Sequence, residues 1–149
     1  LGALPGGDYS RAADINDRGQ VVGYSTTADG SFHAFFWEEG TIVDIGTLPT
    51  GTFSDAFEIN RRGQVVGVSA TAAGPHIFLW ERGSMTDLGV LPGAPTVDFY
   101  SVPALNERGQ VAGQGPTASG EHHAVLWTDD AEPTNRRPLC RSGSVPTLL

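Results

Sequence analysis

Three histidines, His33, His76 and His123, each stand four residues ahead of a tryptophan, Trp37, Trp80 and Trp127; the carboxylates Asp44 and Asp87 follow the first two tryptophans by seven residues. An imidazole serves as metal ligand, general base or hydrogen-bond donor, so a recurring His with a recurring Asp is the first pattern in this chain that chemistry could use. A metal site needs ligands that converge on one point, whereas one His per repeat spreads equivalent side chains apart. The expectation is a buried structural bond within each repeat, His33 to Asp44 and His76 to Asp87, and no metal. His122 and His123 are neighbours on one strand and point to opposite sides, so they do not chelate together.

Catalytic signatures are missing from the sequence. It has no Gly-x-Ser-x-Gly elbow and no ordered Ser, Asp and His set, and "ADGS" lacks the further carboxylates of a calcium loop. Glu38 and Glu39 are paired only in sequence and read as solvated turn residues. The segments that lead into each repeat offer more: Asp8 and Tyr9, then Phe53 and Asp55, then Asp98, Phe99 and Tyr100. Aromatics with carboxylates on converging loops suit stacking and hydrogen bonding to a sugar or peptide, because a rigid ring gives contact area at low entropy cost. The competing reading is that these rings plug neighbouring repeats. No cofactor is implied.

The elements that must position these residues come from a threefold repeat. "NDRGQVVG" at 16–23 returns as "NRRGQVVG" at 60–67 and "NERGQVAG" at 106–113, so Asn16, Asn60 and Asn106 are 44 and 46 residues apart. Leu-Pro recurs at Leu4-Pro5, Leu48-Pro49 and Leu91-Pro92. In each motif Asn opens a turn and Gly19, Gly63 or Gly109 supplies the positive φ that a type I turn plus bulge needs, which predicts a hairpin. Further turns at Gly30 and Gly40 divide the first copy into four short strands, and the second copy repeats the scheme with one residue fewer around "AAGPH".

"HAFFW" and "HIFLW" are apolar on both faces, so this strand is expected to be covered on both sides, as in a sheet sandwiched between two like it. Four-stranded antiparallel repeats of about 44 residues that stack in this way are β-propeller blades. The chain therefore reads as all-β, a partial β-propeller, with a β-trefoil as the alternative. Residues 1–7 read as the end of a preceding repeat, 8–50 as repeat 1, 51–93 as repeat 2, 94–130 as an incomplete repeat 3, and 131–149 as a disordered tail. A fragment of a longer propeller is the preferred reading of three repeats; closure of the third by "LGAL" is the other. The absence of an initiating Met points the same way.

Composition limits the partners. Nine Lys and Arg against 17 Asp and Glu leave a net charge of -8 among 149 residues, and no basic stripe exists to meet a nucleic-acid backbone. The one basic cluster, Arg136, Arg137 and Arg141, lies in the Pro-rich tail. The single cysteine, Cys140, cannot form an internal disulfide. No apolar run reaches the roughly 18 residues of a spanning helix.

"ADINDRGQVVG", "HAFFW" and "DIGTLP" in the first copy, with "EINRRGQVVG", "HIFLW" and "DLGVLP" in the second, resemble the HAF repeat family over residues 1 to 128. The third copy departs, with "ALNERGQVAG" and "HAVLW" and no closing "DLG". The resemblance implies a secreted or surface-associated, β-propeller-like bacterial repeat, and it transfers no catalytic residue. The resulting expectation is a non-enzymatic extracellular scaffold or binding surface for a glycan or protein, completed by further repeats or a second copy. The alternative is a lyase or glycoside hydrolase that uses Asp8, Asp55 and Asp98.

Overall fold

Each Asn-x-x-Gly-Gln motif closes a hairpin in the computed structural model, which describes residues 1–90, 102–117 and 119–127. Asn16 O accepts from Gly19 N at 2.9 Å and Asn16 N donates to Gln20 O at 3.0 Å, with Gly19 at φ 75°. The same pair of bonds recurs at Asn60 and Asn106. The predicted turn plus bulge is therefore formed three times, and it joins β1 (Ser10–Ile15) to β2 (Val21–Thr26), β5 (Ser54–Ile59) to β6 (Val65–Thr71), and β9 (Ala104–Leu105) to β10 (Val111–Pro116).

The remaining strands are β3 (Phe32–Glu38), β4 (Thr41–Gly46), β7 (Gly74–Glu81), β8 (Ser84–Gly89) and β11 (His122–Trp127). They build two four-stranded antiparallel sheets, β1-β2-β3-β4 and β5-β6-β7-β8, and a three-stranded sheet β11-β10-β9. Among the described residues there is no helix and no pairing that closes a sheet into a barrel. The missing residue of the second copy falls in its β6–β7 turn, where Thr71 pairs directly with Gly74, while the first copy spans Thr27 to Ser31. A fourth strand for the third copy, and the tail from 131 onward, lie outside the described residues.

The β3–β4 and β7–β8 turns put a non-glycine residue in the left-handed region: Glu39 at φ 47° before Gly40 at 87°, and Arg82 at 51° before Gly83 at 83°. Two successive positive φ values make a type I′ turn, whose first position favours Asn. Glu39→Asn is accordingly expected to raise stability by about 0.5–1 kcal/mol, seen as a melting temperature higher by about 2–3 °C.

Each sheet has a front face, which carries the tryptophan and histidine, and a back face. The back of the first sheet (Val22, Ala34, Phe36) meets the front of the second (Val65, Phe78, Trp80), with Leu48 buried among them. The back of the second (Val66, Val68, Ile77, Leu79) meets the front of the third (Val111, Val125, Trp127). The Phe36 and Trp80 rings meet at a tilt of 37° with centroids 5.3 Å apart across the first junction, and Trp127 Nε1 donates to Leu88 O at 3.1 Å across the second. The two apolar faces of "HIFLW" are thus both used. Among the described residues the first sheet's front is covered by Leu4, over Val21 and Phe35.

Polar bonds repeat across the same junctions. Asn16 Nδ2 donates to Asn60 O at 2.9 Å, and Asn60 Nδ2 to Asn106 O at 3.0 Å. The Asp14 carboxylate accepts from Ile59 N at 2.9 Å, as Glu58 does from Leu105 N at 2.6 Å. Within each motif the Asn amide also donates to its Gln, and its oxygen accepts from two turn amides, so Asn60 makes four bonds at 3% exposure. The recurring Asn thus shapes its own hairpin and ties it to the next repeat.

Candidate functional site

The histidines meet the expected carboxylates. His33 Nδ1 lies 2.9 Å from Asp44 Oδ2, and His76 Nδ1 2.9 Å from Asp87 Oδ2. These pairs are not buried as expected, since the Asp side chains are 42% exposed. The carboxylates sit at a strand bulge: Asp44 Oδ1 also accepts from Gly46 N, and Asp87 Oδ1 from Gly89 N, both at 2.7 Å. That bulge turns Ile45 and Leu88 toward the two inter-sheet cores. The role is a corner pin, with the screened strength of a half-exposed pair.

His122 and His123 border a shallow hollow of about 370 Å³ with Val102, Gly113, Gln114 and Ala124. Among the described residues no three His, Cys, Asp or Glu side chains gather as a metal site.

The entry segments converge at the first junction. Tyr9 immediately precedes β1 and Phe53 precedes β5; their carbonyls accept the equivalent amides Thr26 N and Ala70 N, both at 2.9 Å. Phe53 is bridged to Phe32 at the start of β3. Tyr9 and Tyr24 have centroids 6.0 Å apart, and Tyr24 meets Phe32 edge-on at 5.5 Å, so the rings form a continuous aromatic row. Its two ends are open to solvent: Tyr9 is 49% exposed and Phe32 38%. Interaction with the Tyr24 hydroxyl holds the Tyr9 phenol above its ordinary pKa.

Polar groups flank the row. Asp8 accepts from the Thr26 hydroxyl at 3.1 Å and donates its own amide to the same oxygen at 2.9 Å. Asp55, by contrast, stands on β5 opposite Val68, on the face of the second sheet that meets the third; among the described residues one of its oxygens is buried with no hydrogen-bond partner. Burial pushes its pKa up to about 6, and the charge of Arg11 offsets this in part. Asp98, Phe99 and Tyr100 lie outside the described residues.

Asp55 carries a pH signature. The folded state keeps the proton up to about pH 6, whereas an unperturbed carboxyl releases it near 3.8, so folding takes up a proton between those values. Stability therefore falls as pH rises through that window, and the full cost persists above it. Asp55→Asn is expected to add about 1 kcal/mol at pH 7, after allowing for solvent screening of a part-exposed group, and to flatten the profile from pH 4 to 6. Urea unfolding across that range checks both.

Tyr24, Phe32 and Arg11 belong to this surface although the loop-based reading did not select them. Their signal is departure from the repeat: Tyr24 stands where the second copy has Val68, and Arg11 where it has Asp55. No protein-family model matches the chain. No curated protein is significantly similar to it.

Proposed function

We propose that the chain is a HAF-type, secreted β-propeller-like repeat segment without catalytic activity, which serves as a scaffold and offers the Tyr9–Tyr24–Phe32 row as a binding surface for a glycan. The aromatic row carries this reading. Flat rings stack on the C–H faces of pyranose units, while Asp8 and Arg11 beside them supply acceptors and donors that orient hydroxyl groups. The serial face-to-face stacking of like sheets supports the propeller over a trefoil, which would need its hairpins joined in a barrel.

A glycan array followed by titration tests the binding reading. Tyr9→Ala and Phe32→Ala are each expected to weaken the bound sugar about tenfold, equivalent to about 1.4 kcal/mol. Unchanged affinity in both variants rejects it, and binding confined to a peptide array replaces the glycan with a protein ligand.

One feature favours an enzyme instead: the buried, unpartnered oxygen of Asp55, whose burial pushes the carboxyl pKa up to about 6, suited to a general acid. A glycoside hydrolase also needs a second carboxyl about 5–9.5 Å away. Asp8 is engaged by Thr26, and Asp98 lies outside the described residues. Release of reducing sugar that is lost in Asp55→Asn would establish this second reading.

A further inference from the structure

Apart from Val21 and Phe35, which Leu4 covers, several equivalent residues are buried or exposed according to whether another sheet lies over them. Ala56 is 0% and Ile59 7% exposed at the first junction, while their counterparts on the front of the first sheet, Ala12 and Ile15, are exposed, Ile15 at 63%. On the back of the third sheet Ala112, Ala124 and Leu126 are exposed, where the matching Val66, Ile77 and Leu79 of the second sheet are buried.

The hydrogen-bonding groups at these two faces are unfilled in complementary ways. Asn106 Nδ2 donates to Gln110 and, among the described residues, has no inter-repeat acceptor of the kind Asn16 and Asn60 have. Among the described residues the Asn16 carbonyl accepts only from Gly19 N, whereas the Asn60 and Asn106 carbonyls each take a second bond from the preceding repeat.

We propose that the back of the third sheet docks on the front of the first sheet of a second copy of this chain, repeating the internal junction between protomers. Leu126, Ala112 and Ala124 of one protomer cover Ile15, Ala12, Trp37 and Ile42 of its partner, and Asn106 Nδ2 donates to the Asn16 carbonyl across the interface. A second copy fits because the same faces already meet at the chain's own two junctions. Head-to-tail contacts either close or propagate. Two copies bring six sheets together, within the about four to eight of closed propellers; the stoichiometry of two rests on the propeller reading above, whereas the contact itself does not.

Charge at the turn tips sharpens the proposal. Arg61 pairs with Asp17 at 2.7 Å and reaches toward Glu107 at 3.9 Å, so signs alternate along the internal ladder. The inter-copy junction sets Glu107 against Asp17, two like charges. Asp17→Arg is therefore expected to tighten association about two- to fivefold, the range of an exposed pair.

Sedimentation velocity of the full chain from micromolar to millimolar concentration tests the whole. The expected result is a monomer–dimer equilibrium that Ile15→Glu abolishes on one face and Leu126→Glu on the other, with a dimer restored when the two variants are mixed. Both changed side chains are exposed, and circular dichroism confirms that each variant is folded. A wild type monomeric throughout, or a dimer that survives both substitutions, overturns the docking. A ladder of larger species blocked by the same substitutions keeps the docking and removes the six-sheet closure, and the propeller reading with it.

Discussion

Asn60→Ala is expected to cost about 3–4 kcal/mol, the largest loss among the three motif asparagines. The truncation removes donation to Gln64 Oε1 at 2.7 Å and to Asn106 O at 3.0 Å, together with acceptance from Arg62 N and Gln64 N. Gln64 is itself only 4% exposed, so its amide and side-chain oxygen are left without partners away from water. The equivalent Asn16 is half-buried and Asn106 exposed, so alanine there is expected to cost about 1–2 kcal/mol, because water replaces part of what is lost. Urea midpoints at constant slope give this ranking. Equal losses at all three positions would mean that the Asn acts only within its own turn and does not couple repeats.

Gly67→Ala is expected to cost about 3 kcal/mol or more for a steric reason. A Cβ there would lie 2.1 Å from Asp55 O and 2.7 Å from the Phe78 ring, because the bulge in β5 carries that strand close over β6. A backbone carbonyl cannot rotate away as a flexible side chain can, so the strand pair must part. Gly83→Ala is the control: its Cβ meets nothing within 4 Å, and the cost comes from its φ of 83°, about 1 kcal/mol. Thermal unfolding of the pair separates close approach from backbone conformation.

These two residues also mark what the sequence reveals and what it hides. The hairpin made by Asn60 and Gly63 was legible, because a type I turn plus bulge restricts residue types at fixed offsets. The antiparallel meander followed from the turn spacing, and the His–Asp bonds from two chemical groups recurring in step. The reach of Asn60 to Asn106 was not legible: it joins residues 46 apart through a carbonyl, a group every residue has. The bulge at Phe57 leaves no composition signal either, and it is what makes Gly67 obligatory.

The candidate site was legible in half. Tyr9 and Phe53 stood out as aromatics in variable entry segments, and both lie at the first junction. Tyr24 and Phe32 do not stand out in the sequence, because their difference from Val68 and Pro75 matters only once pairing places them beside Tyr9. Asp55 reads as a loop carboxylate, yet it sits within a strand and is part-buried there, and the burial raises its pKa. The His–Asp pairs were expected to be buried, but the bulge holds them at the sheet margin.

Serial stacking of like sheets is tested most directly by nuclear Overhauser contacts between side chains of different repeats. The structure predicts strong cross-peaks from the Phe36 ring to the Trp80 ring, 5.3 Å apart, and contacts of Ile77 with Trp127. Contacts confined to residues of the same repeat, with Phe36 and Trp80 magnetically isolated from one another, would contradict it.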